Sequence, residues 1–259
     1  MSEDGESLVL YVDQRSSIKA FFANSKIKSK ECFVIFSSWG GRSLCTKFGG
    51  TDPLLREGYD VICVQSNCDD WHQNIAIKGI DILKEFLKQT YYIAKGYGSS
   101  MGGFGAICYA ERLGLKSVLA FSPQYTISES FDKRWSREDE LIVWHQKAEM
   151  AINYDGVIRI VYDPITLDAL QAKLICDNFT KATIYCHEIK FGSHPVVHYL
   201  NDGGVLKSSL LSFANDDFKI PNVEKRNNKT YLIEFSKYLF KKSKLRWSKA
   251  TIQRAIEVG

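Results

Sequence analysis

The sequence predicts an α/β fold in which helices cover both faces of a mainly parallel central sheet. Short apolar runs rich in β-branched residues alternate with longer amphipathic stretches, which is typical of strand–helix alternation. The short runs are almost continuously apolar, as expected for parallel strands that are buried on both faces. A hydrophobic content of 45% over 259 residues is enough for one large core. Because ligands of such sheets bind beyond the carboxyl ends of the strands, the functional residues are expected in the loops there.

The first hundred residues contain four predicted strands and one predicted helix. Residues 7–12 (SLVLYV) are the first strand and residues 32–38 (CFVIFSS) the second, which a Trp-Gly-Gly turn ends. Residues 59–66 (YDVICVQS) are the third strand. In residues 75–89 apolar side chains recur at helical spacing, which predicts a helix, and residues 91–97 (YYIAKGY) are the fourth strand.

The same alternation continues through the next hundred residues. It predicts, in order, a helix at 104–114, strands at 116–122 and 157–162, a helix at 169–179, a strand at 182–189 and a glycine-interrupted helical stretch at 195–213. Gly114 is the type of residue that ends a helix. Three predicted strands therefore follow the fourth, and each is followed by a loop that could carry a functional residue.

Two segments depart from this alternation. Residues 125–156 form a long, mostly polar connection between the fifth and sixth of these strands, which predicts a helical, cap-like insertion in a domain at 1–218. Residues 219–259 hold eleven Lys or Arg and three Glu, a net charge of +8; because the whole chain carries +4, residues 1–218 carry −4. Apolar residues at helical spacing predict a basic helical C-terminal extension there. Its basic face is either solvated or a surface for an anionic partner.

Composition and charge narrow the class of protein further. The net charge of +4 is mild and predicts no nucleic-acid partner. The N-terminus, MSEDGESLVLYV, lacks the features of a signal peptide, and no apolar run approaches the roughly 20 residues of a membrane span. Most of the seven cysteines lie within apolar runs, which is typical of reduced, buried thiols. We therefore expect a cytoplasmic protein without a transmembrane segment.

One cluster has the side-chain types of a metal site. It lies in CVQSNCDDWH and comprises Cys63, Cys68, Asp69, Asp70 and His72. Zinc sites normally pair their ligands at short spacing, and the sequence has neither a CxxC pair here nor a second ligand pair elsewhere. We therefore expect packing and loop formation rather than a metal site.

The glycine-rich stretch YGSSMGGFGA, residues 97–106, is the most informative motif. No lysine follows the glycines, which excludes a P-loop, and Met101 stands where a dinucleotide fingerprint needs its third glycine. Gly98 to Gly102 match G-x-S-x-G between a predicted strand and a predicted helix. That context predicts Ser100 as a nucleophile on a sharp turn. Ser99 is the alternative, but it lacks glycines at both −2 and +2.

A serine nucleophile needs a base that an acid orients, and in this architecture the acid and the histidine follow the serine in the chain. His194 follows the last predicted strand and is the predicted base; the other histidines, His72, His145, His187 and His198, are placed less suitably. Asp163 and Asp168 both follow the strand at 157–162. We favour Asp168 as the acid because it lies further past the strand end, while Asp163 remains the alternative.

An oxyanion formed by attack of Ser100 would need backbone N–H donors. The residue after the nucleophile, Met101, is expected to supply one. The loop after the strand at 32–38 is expected to supply the other, and Trp39 is the predicted donor in that loop.

These residues together resemble the α/β-hydrolase superfamily over residues 7 to 213, with GSSMGG, Asp163 or Asp168, and the GSH that contains His194 at the motif positions. The segments YGSSMGGFGA, AFSPQ and DKRW are similar to a subset of bacterial proteins encoded with surface-polysaccharide genes. The resemblance implies either an esterase or an enzyme that moves acetyl groups from acetyl-CoA onto sugars. The sequence SSWGG departs from the family's His-Gly turn at the second oxyanion donor.

Three functions follow from these observations. The first is a serine hydrolase of an ester or thioester, acting on a small-molecule or glycan acyl ester without metal or cofactor. The second is an O-acetyltransferase that uses the same acyl-enzyme, with acetyl-CoA as co-substrate and a sugar hydroxyl as acceptor. The third is a non-catalytic binding module on a hydrolase scaffold. Side chains that could hold an acceptor, or could be ordinary surface and packing residues, are Trp39, Trp71, Lys133, Arg134, Trp135 and Arg137.

Overall fold

The computed structural model describes residues 6–24 and 30–258, and its centre is an eight-stranded sheet. The strands are β1 Ser7–Val12, β2 Ser16–Phe21, β3 Glu31–Phe36, β4 Asp60–Ser66, β5 Ile93–Ser99, β6 Ser117–Phe121, β7 Val157–Tyr162 and β8 Thr183–Glu188. Their order across the sheet is β1-β2-β4-β3-β5-β6-β7-β8. β2 pairs antiparallel with β1 and with β4, and the pairs from β4 to β8 are parallel.

Ten α-helices lie within the described residues. They are α1 Thr51–Arg56, α2 Ile77–Thr90, α3 Met101–Cys108, α4 Ala110–Leu113, α5 Ser136–Leu141, α6 Asp168–Asn178, α7 Val197–Asp202, α8 Leu206–Ala214, α9 Lys229–Lys241 and α10 Leu245–Glu257. None of the helices in this part of the chain is both long enough and apolar enough to cross a bilayer. The predicted ranges 1–218 and 219–259 also include residues 1–5, 25–29 and 259, which lie outside the described residues.

The sheet is buried on both faces because successive strand residues enter two different hydrophobic clusters. In β3, Val34 and Phe36 belong to the cluster under α2, α3 and α6, while Phe33 and Ile35 belong to the cluster under α1, α7 and α8. Every residue of α3 is buried. This arrangement confirms the predicted fold class, and it explains why the strands are almost continuously apolar.

All seven predicted strands are present, and helices occupy the predicted helical stretches. The sequence did not predict β2 or α1. β2 reads SSIKAF, whose serines and lysine hide its strand character. It forms because Asp13 accepts hydrogen bonds from the backbone of Arg15 and Ser16, at 2.8 and 2.7 Å, and so closes a tight turn after β1. The antiparallel ladder to β4 then buries most of the strand.

The insertion at 125–156 is less helical than the sequence predicts. Within it the structure has one six-residue helix, α5, and short 3-10 turns at Lys133–Trp135 and Ala148–Ala151. Much of the rest is irregular and is fixed by side-chain bonds to the body. Gln73, for example, accepts from the backbone of His145 and Gln146 at 2.8 and 2.7 Å.

The C-terminal extension is helical, as predicted, and α9 packs against the body. Phe191, in the loop after β8, contacts the rings of Tyr231, Phe235 and Tyr238 on α9. Asn228 caps α9 and also donates to the carbonyl of Tyr199 at 2.7 Å. α10 then packs on α9, where Ser248 and Ser236 exchange hydrogen bonds of 3.0 Å.

The end of β5 and the start of α3 lie so close together that their backbones are nearly in contact. A Cβ built on Gly98 would overlap the backbone of Gly102 and Gly103, which cannot move aside as a flexible side chain would. A Cβ at Gly49 would meet no atom within 4 Å. The turn between β5 and α3 therefore requires glycine at position 98, whereas position 49 offers a matched site without this constraint.

We expect Gly98→Ala to lower the free energy of unfolding by about 3 kcal/mol, because the added methyl group forces backbone displacement in a packed core. Urea denaturation at neutral pH measures the change. Gly49→Ala serves as the control and should unfold within about 0.5 kcal/mol of the parent protein. Equal stabilities for the two variants would contradict the close packing of β5 on α3.

Candidate active site

Ser100 lies on a sharp turn between β5 and α3. Its backbone has φ 53° and ψ −117°, a conformation that non-glycine residues rarely adopt. The Ser100 N–H donates to the carbonyl of Phe121 at 2.8 Å, and the Ser100 carbonyl accepts from Phe104 at 3.0 Å. The turn is thus bonded to β6 on one side and to α3 on the other. It presents the side chain at the carboxyl end of the central strand.

A continuous series of hydrogen bonds joins Ser100, His194 and Asp168. Ser100 Oγ lies 3.0 Å from His194 Nε2, and His194 Nδ1 lies 2.9 Å from both carboxylate oxygens of Asp168. A carboxylate only accepts, so Nδ1 carries the ring proton and Nε2 is free to accept from the serine hydroxyl. Ser100 and Asp168 are 4% and 1% exposed. In this arrangement an imidazole can take the serine proton while a buried carboxylate orients it.

The loop that carries His194 is fixed on both sides of the histidine. Asp163 accepts from the Ser193 N–H at 3.0 Å, and Ser122 Oγ accepts from the Val196 N–H at 3.0 Å. Asp163 also accepts from Ile165 at 2.9 Å. Burial raises the pKa of the Asp163 carboxyl, while these backbone donors oppose the rise. The structure thus places Asp168 beside the imidazole and uses Asp163, the alternative acid, to hold the loop.

The other candidate nucleophile and histidines are not part of this hydrogen-bonded series. Ser99 Oγ is buried and has no hydrogen-bond partner among the described residues. His187 makes an edge-to-face contact with Phe218, with ring centroids 4.8 Å apart, and His145 and His198 are exposed.

Gln124, in the loop after β6, is a contact of Ser100 that the sequence analysis did not identify. Its Nε2 donates to Ser100 Oγ at 3.0 Å, and the side chain is buried. A hydroxyl can donate one bond and accept another, so Oγ can donate to His194 while accepting from Gln124. The available signal was the segment AFSPQ, which ends on this residue.

Arg134, in the insertion, makes a contact that the sequence did not predict, because its guanidinium lies beside Asp168. Its guanidinium lies 2.7 Å from Asp132 Oδ2 and 3.3 Å from Asp168 Oδ1. Asp132 and Asp168 are 0% and 1% exposed, so Arg134 supplies a cation between two buried carboxylates. That Arg134 could also hold an acceptor stays a prediction. The insertion is bonded directly to Asp168 through this side chain.

His72 is hydrogen-bonded to the start of the loop after β3. Its Nε2 lies 3.0 Å from the carbonyl oxygen of Ser37, and because a carbonyl only accepts, Nε2 carries the proton. Burial lowers the pKa of the His72 imidazole, although the charge of Asp70 opposes the shift. The neutral side chain thus holds Ser37, the residue at which β3 leads into the loop.

The two predicted oxyanion donors lie in suitable elements. Met101 begins α3, and Trp39 lies in the loop after β3, where the neighbouring Gly40 N–H donates to Asp69 at 2.6 Å. The Trp39 N–H donates to no other described residue. Both donors stay predictions, because their bonds form only to a bound oxyanion.

The residues of the possible metal cluster are engaged elsewhere. Asp69 pairs with Arg42 at 2.6 Å, Asp70 accepts from the His72 N–H at 3.0 Å, and Cys63 contacts the hydroxyl of Thr51. No group of three potential metal ligands comes together within residues 6–24 and 30–258.

Three indoles form a cluster beside His194. Trp135 lies 6.1 Å from the His194 ring, 5.2 Å from Trp71 and 6.1 Å from Trp39. Trp71 is fully buried, whereas Trp39 is 48% exposed. Trp39 also lines two cavities, one of about 430 Å³ that reaches Gly98 and one of about 570 Å³ that reaches α5. Of the three rings, Trp39 therefore offers most of its surface to a ligand.

Several solved structures of known proteins are similar to this chain in fold. A scan against models of protein families finds no match to this sequence, and a search of curated proteins finds none either. Among solved structures, Est1E from Butyrivibrio proteoclasticus aligns with a TM-score of 0.55 at 12% identity, covering 82% of this chain and 98% of its own. An esterase of Pyrococcus furiosus aligns with a TM-score of 0.54 at 12% identity, covering 82% and 90% of the two chains.

The capsule O-acetyltransferase of Neisseria meningitidis serogroup A is also similar in structure. It aligns with a TM-score of 0.51 at 10% identity, covering 71% of this chain and 88% of its own. These identities are low, so the three neighbours bear on the architecture of the chain alone.

We expect Arg134→Met to lower the free energy of unfolding by about 1–3 kcal/mol at pH 7, because it leaves two buried carboxylates facing each other without a cation. Arg134→Lys should recover part of the loss, since lysine keeps the charge but not the planar fork. Urea denaturation measures both. The control is Arg137→Met, which removes a nearby exposed arginine that pairs with no described acid. Equal losses at positions 134 and 137 would contradict the ion pair.

We expect the free energy of unfolding to fall as the pH decreases below about 6.5, partly because of His72. The imidazole has a lowered pKa in the folded protein and an ordinary pKa near 6.5 when unfolded. Its contribution is therefore complete above 6.5 and is lost towards the folded pKa, at up to about 1.4 kcal/mol per pH unit.

The matched variant for this test is His72→Gln, whose amide can still donate to Ser37 but does not titrate. Its stability, from urea denaturation at pH 7.5 and 5.5, should decline less than that of the parent protein. His187 also has a lowered pKa because of burial, but it is present in both proteins. An identical decline in both would show that His72 does not contribute.

Proposed function

We propose that this chain, which has the α/β-hydrolase fold, is a serine-nucleophile enzyme that cleaves an ester or thioester through an acyl-enzyme. The observation that carries the proposal is the hydrogen-bonded series from Ser100 through His194 to Asp168, set on the turn between β5 and α3. Ser100 is the nucleophile, His194 the general acid–base, and Asp168 the residue that orients the imidazole.

The proposed reaction has two halves. Ser100 Oγ attacks the substrate carbonyl carbon while its proton passes to His194 Nε2, and the oxyanion receives hydrogen bonds from the N–H groups of Met101 and Trp39. The intermediate collapses, the bond to the leaving alcohol or thiol breaks, and His194 returns the proton to that leaving group. Water then attacks the acyl-enzyme with His194 as the base, which releases the acid and restores Ser100. These steps use protein groups, substrate and water.

We propose an acylated carbohydrate as the substrate class. The half-exposed ring of Trp39 lines the cavity that reaches Gly98, two residues before the nucleophile, and an exposed aromatic ring is a surface on which a sugar can stack. Arg42 lines the same cavity, but Asp69 already neutralises its charge. The cavity therefore suits a neutral or weakly charged sugar ester better than a strongly anionic one.

The second candidate function is O-acetyl transfer from acetyl-CoA to a sugar hydroxyl. The capsule O-acetyltransferase among the structural neighbours favours it, and a variant of that enzyme has been solved in complex with CoA. The first half of the reaction is unchanged, and coenzyme A is the leaving thiol. A sugar hydroxyl then takes the place of water in the second half, so the two functions differ only in which acceptor reaches the acyl-enzyme.

We further propose a cytoplasmic location and an anionic partner for the basic C-terminal segment. All seven cysteines are free thiols, including Cys176 and Cys186, whose sulfur atoms lie 3.5 Å apart without a disulfide bond. Free thiols at such a distance persist in reducing compartments.

We expect Ser100→Ala to reduce hydrolysis of 4-nitrophenyl acetate by about 10⁴-fold or more, because no other group can form the acyl-enzyme. Steady-state kinetics of 4-nitrophenol release measure this. Ser99→Ala is the matched control and should keep its rate, because the Ser99 hydroxyl has no hydrogen bond to His194. Unchanged turnover in Ser100→Ala would refute the assignment of Ser100, whereas no turnover by the parent protein would favour a non-catalytic binding module.

The same proteins distinguish water from a sugar acceptor. With acetyl-CoA as donor, release of the free thiol is followed with and without an added glycan. Release without the glycan supports hydrolysis, and release that requires the glycan supports transfer. Each should disappear in Ser100→Ala.

A further inference from the structure

The end of the chain forms a helical hairpin whose outer helix contacts little besides its neighbour. α10 packs on α9 through small side chains: Ser248 is 7% exposed and Ala255 is 2% exposed. Its Arg254 bonds back to Arg226 and Asn227. These contacts cover one side of α10 and leave the remaining sides open to solvent.

An apolar stripe runs along an open side of α10. It consists of Leu245, Ile252 and Ile256, which are 53%, 39% and 68% exposed. Their spacing of seven and four residues places them on one face of a helix. Phe240 and Trp247, at the turn between α9 and α10, are 64% and 68% exposed. Five large apolar side chains are therefore uncovered within 17 residues of sequence, which in a soluble protein usually indicates an interaction surface.

The same end of the hairpin carries a dense group of unpaired cations. Lys241, Lys242, Lys244, Arg246 and Lys249 lie within nine residues that contain no acid, and none of them forms an ion pair with a described residue. The basic residues Lys219, Lys237 and Arg254, by contrast, pair with nearby acids. Most of the positive charge of the segment is thus free, and it lies beside the exposed apolar side chains.

We propose that α10 and the turn before it bind the surface of a bilayer that contains anionic lipids. Such a surface covers aliphatic side chains at the acyl boundary and attracts clusters of four to eight cations to its headgroups. Lys249 lies within the stripe at the position between Leu245 and Ile252. It can bury its methylene chain while its ammonium reaches the headgroups.

Other possible partners would account for either the unpaired cations or the exposed apolar stripe, but not for both. A soluble acidic polymer would match the cations and leave the aliphatic stripe uncovered. A second copy of the chain would cover the stripe but bring two groups of five cations together, which is unfavourable at physiological salt. Anionic lipid accounts for both features at once. The proposal identifies the anionic partner proposed above for the C-terminal segment, and it does not depend on the proposed reaction, because α10 contributes no residue to the series that contains Ser100.

The test is sedimentation of the full chain with sucrose-loaded vesicles of phosphatidylcholine alone or with 30% phosphatidylglycerol. We expect binding to the second kind only, weakened by salt. Lys241→Gln, Lys242→Gln and Lys244→Gln together should reduce partitioning roughly 100-fold. Ile252→Ser with Ile256→Ser should reduce it at least tenfold. Ile77→Ser on α2 is the control, since Ile77 is 64% exposed but lies on a different helix.

Circular dichroism and hydrolysis of a soluble ester should be the same in the parent and in all three variants, which separates loss of membrane binding from loss of folding. Three results would overturn the proposal. The first is no binding of the parent protein to anionic vesicles. The second is equal binding by the parent protein and the Ile252/Ile256 variant, which would indicate a purely electrostatic partner. The third is concentration-dependent dimerisation of the parent protein that the Ile252/Ile256 variant abolishes.

Discussion

The chain reverses at Ser100 in a backbone conformation that costs a non-glycine residue about 1–3 kcal/mol, and the surrounding packing holds it there. Gly98 allows β5 to approach α3 at backbone distance, Gly102 allows α3 to approach the backbone of Phe36 in β3, and α3 is buried over its whole length. Because β5 lies between β3 and β6 in the sheet, the loops after β3, β6, β7 and β8 can all reach the same serine. The position of every other residue in the site follows from this turn.

The insertion belongs to the site because its side chains contact Asp168 and His194, and not only because it lies nearby. Arg134 links Asp132 to Asp168, and Trp135 packs against the ring of His194. One short 3-10 turn thus contacts both partners of the nucleophile. A segment that would otherwise be a surface connection therefore places a cation beside Asp168 and an indole ring beside the imidazole of His194. Under the proposed function, changes in the insertion would affect the reaction as well as access for the substrate.

The sequence predicts the role of a residue well when that role depends on the residue's own strand, helix or motif. It predicts the role less well when it depends on a contact with another segment. The apolar strands reveal themselves because both faces are buried, and Ser100, Asp168 and His194 follow from a local motif and from their positions after strands. β2 was hidden by polar residues that become buried only through pairing with β4. The contacts of Gln124 and Arg134 were not predicted, because the segments AFSPQ and DKRW do not show which partner each side chain reaches. The helical content of the insertion was overestimated, since bonds to the body replace helical bonds there.

The most direct test of the central claim, an activated Ser100, is the mass of the intact protein after treatment with a fluorophosphonate. This reagent phosphonylates serines that a neighbouring base has made nucleophilic, with loss of fluoride. We expect one adduct in the parent protein, located by peptide mapping at Ser100, and none in Ser100→Ala. A folded parent protein that stays unmodified, or an adduct on a different serine, would contradict it.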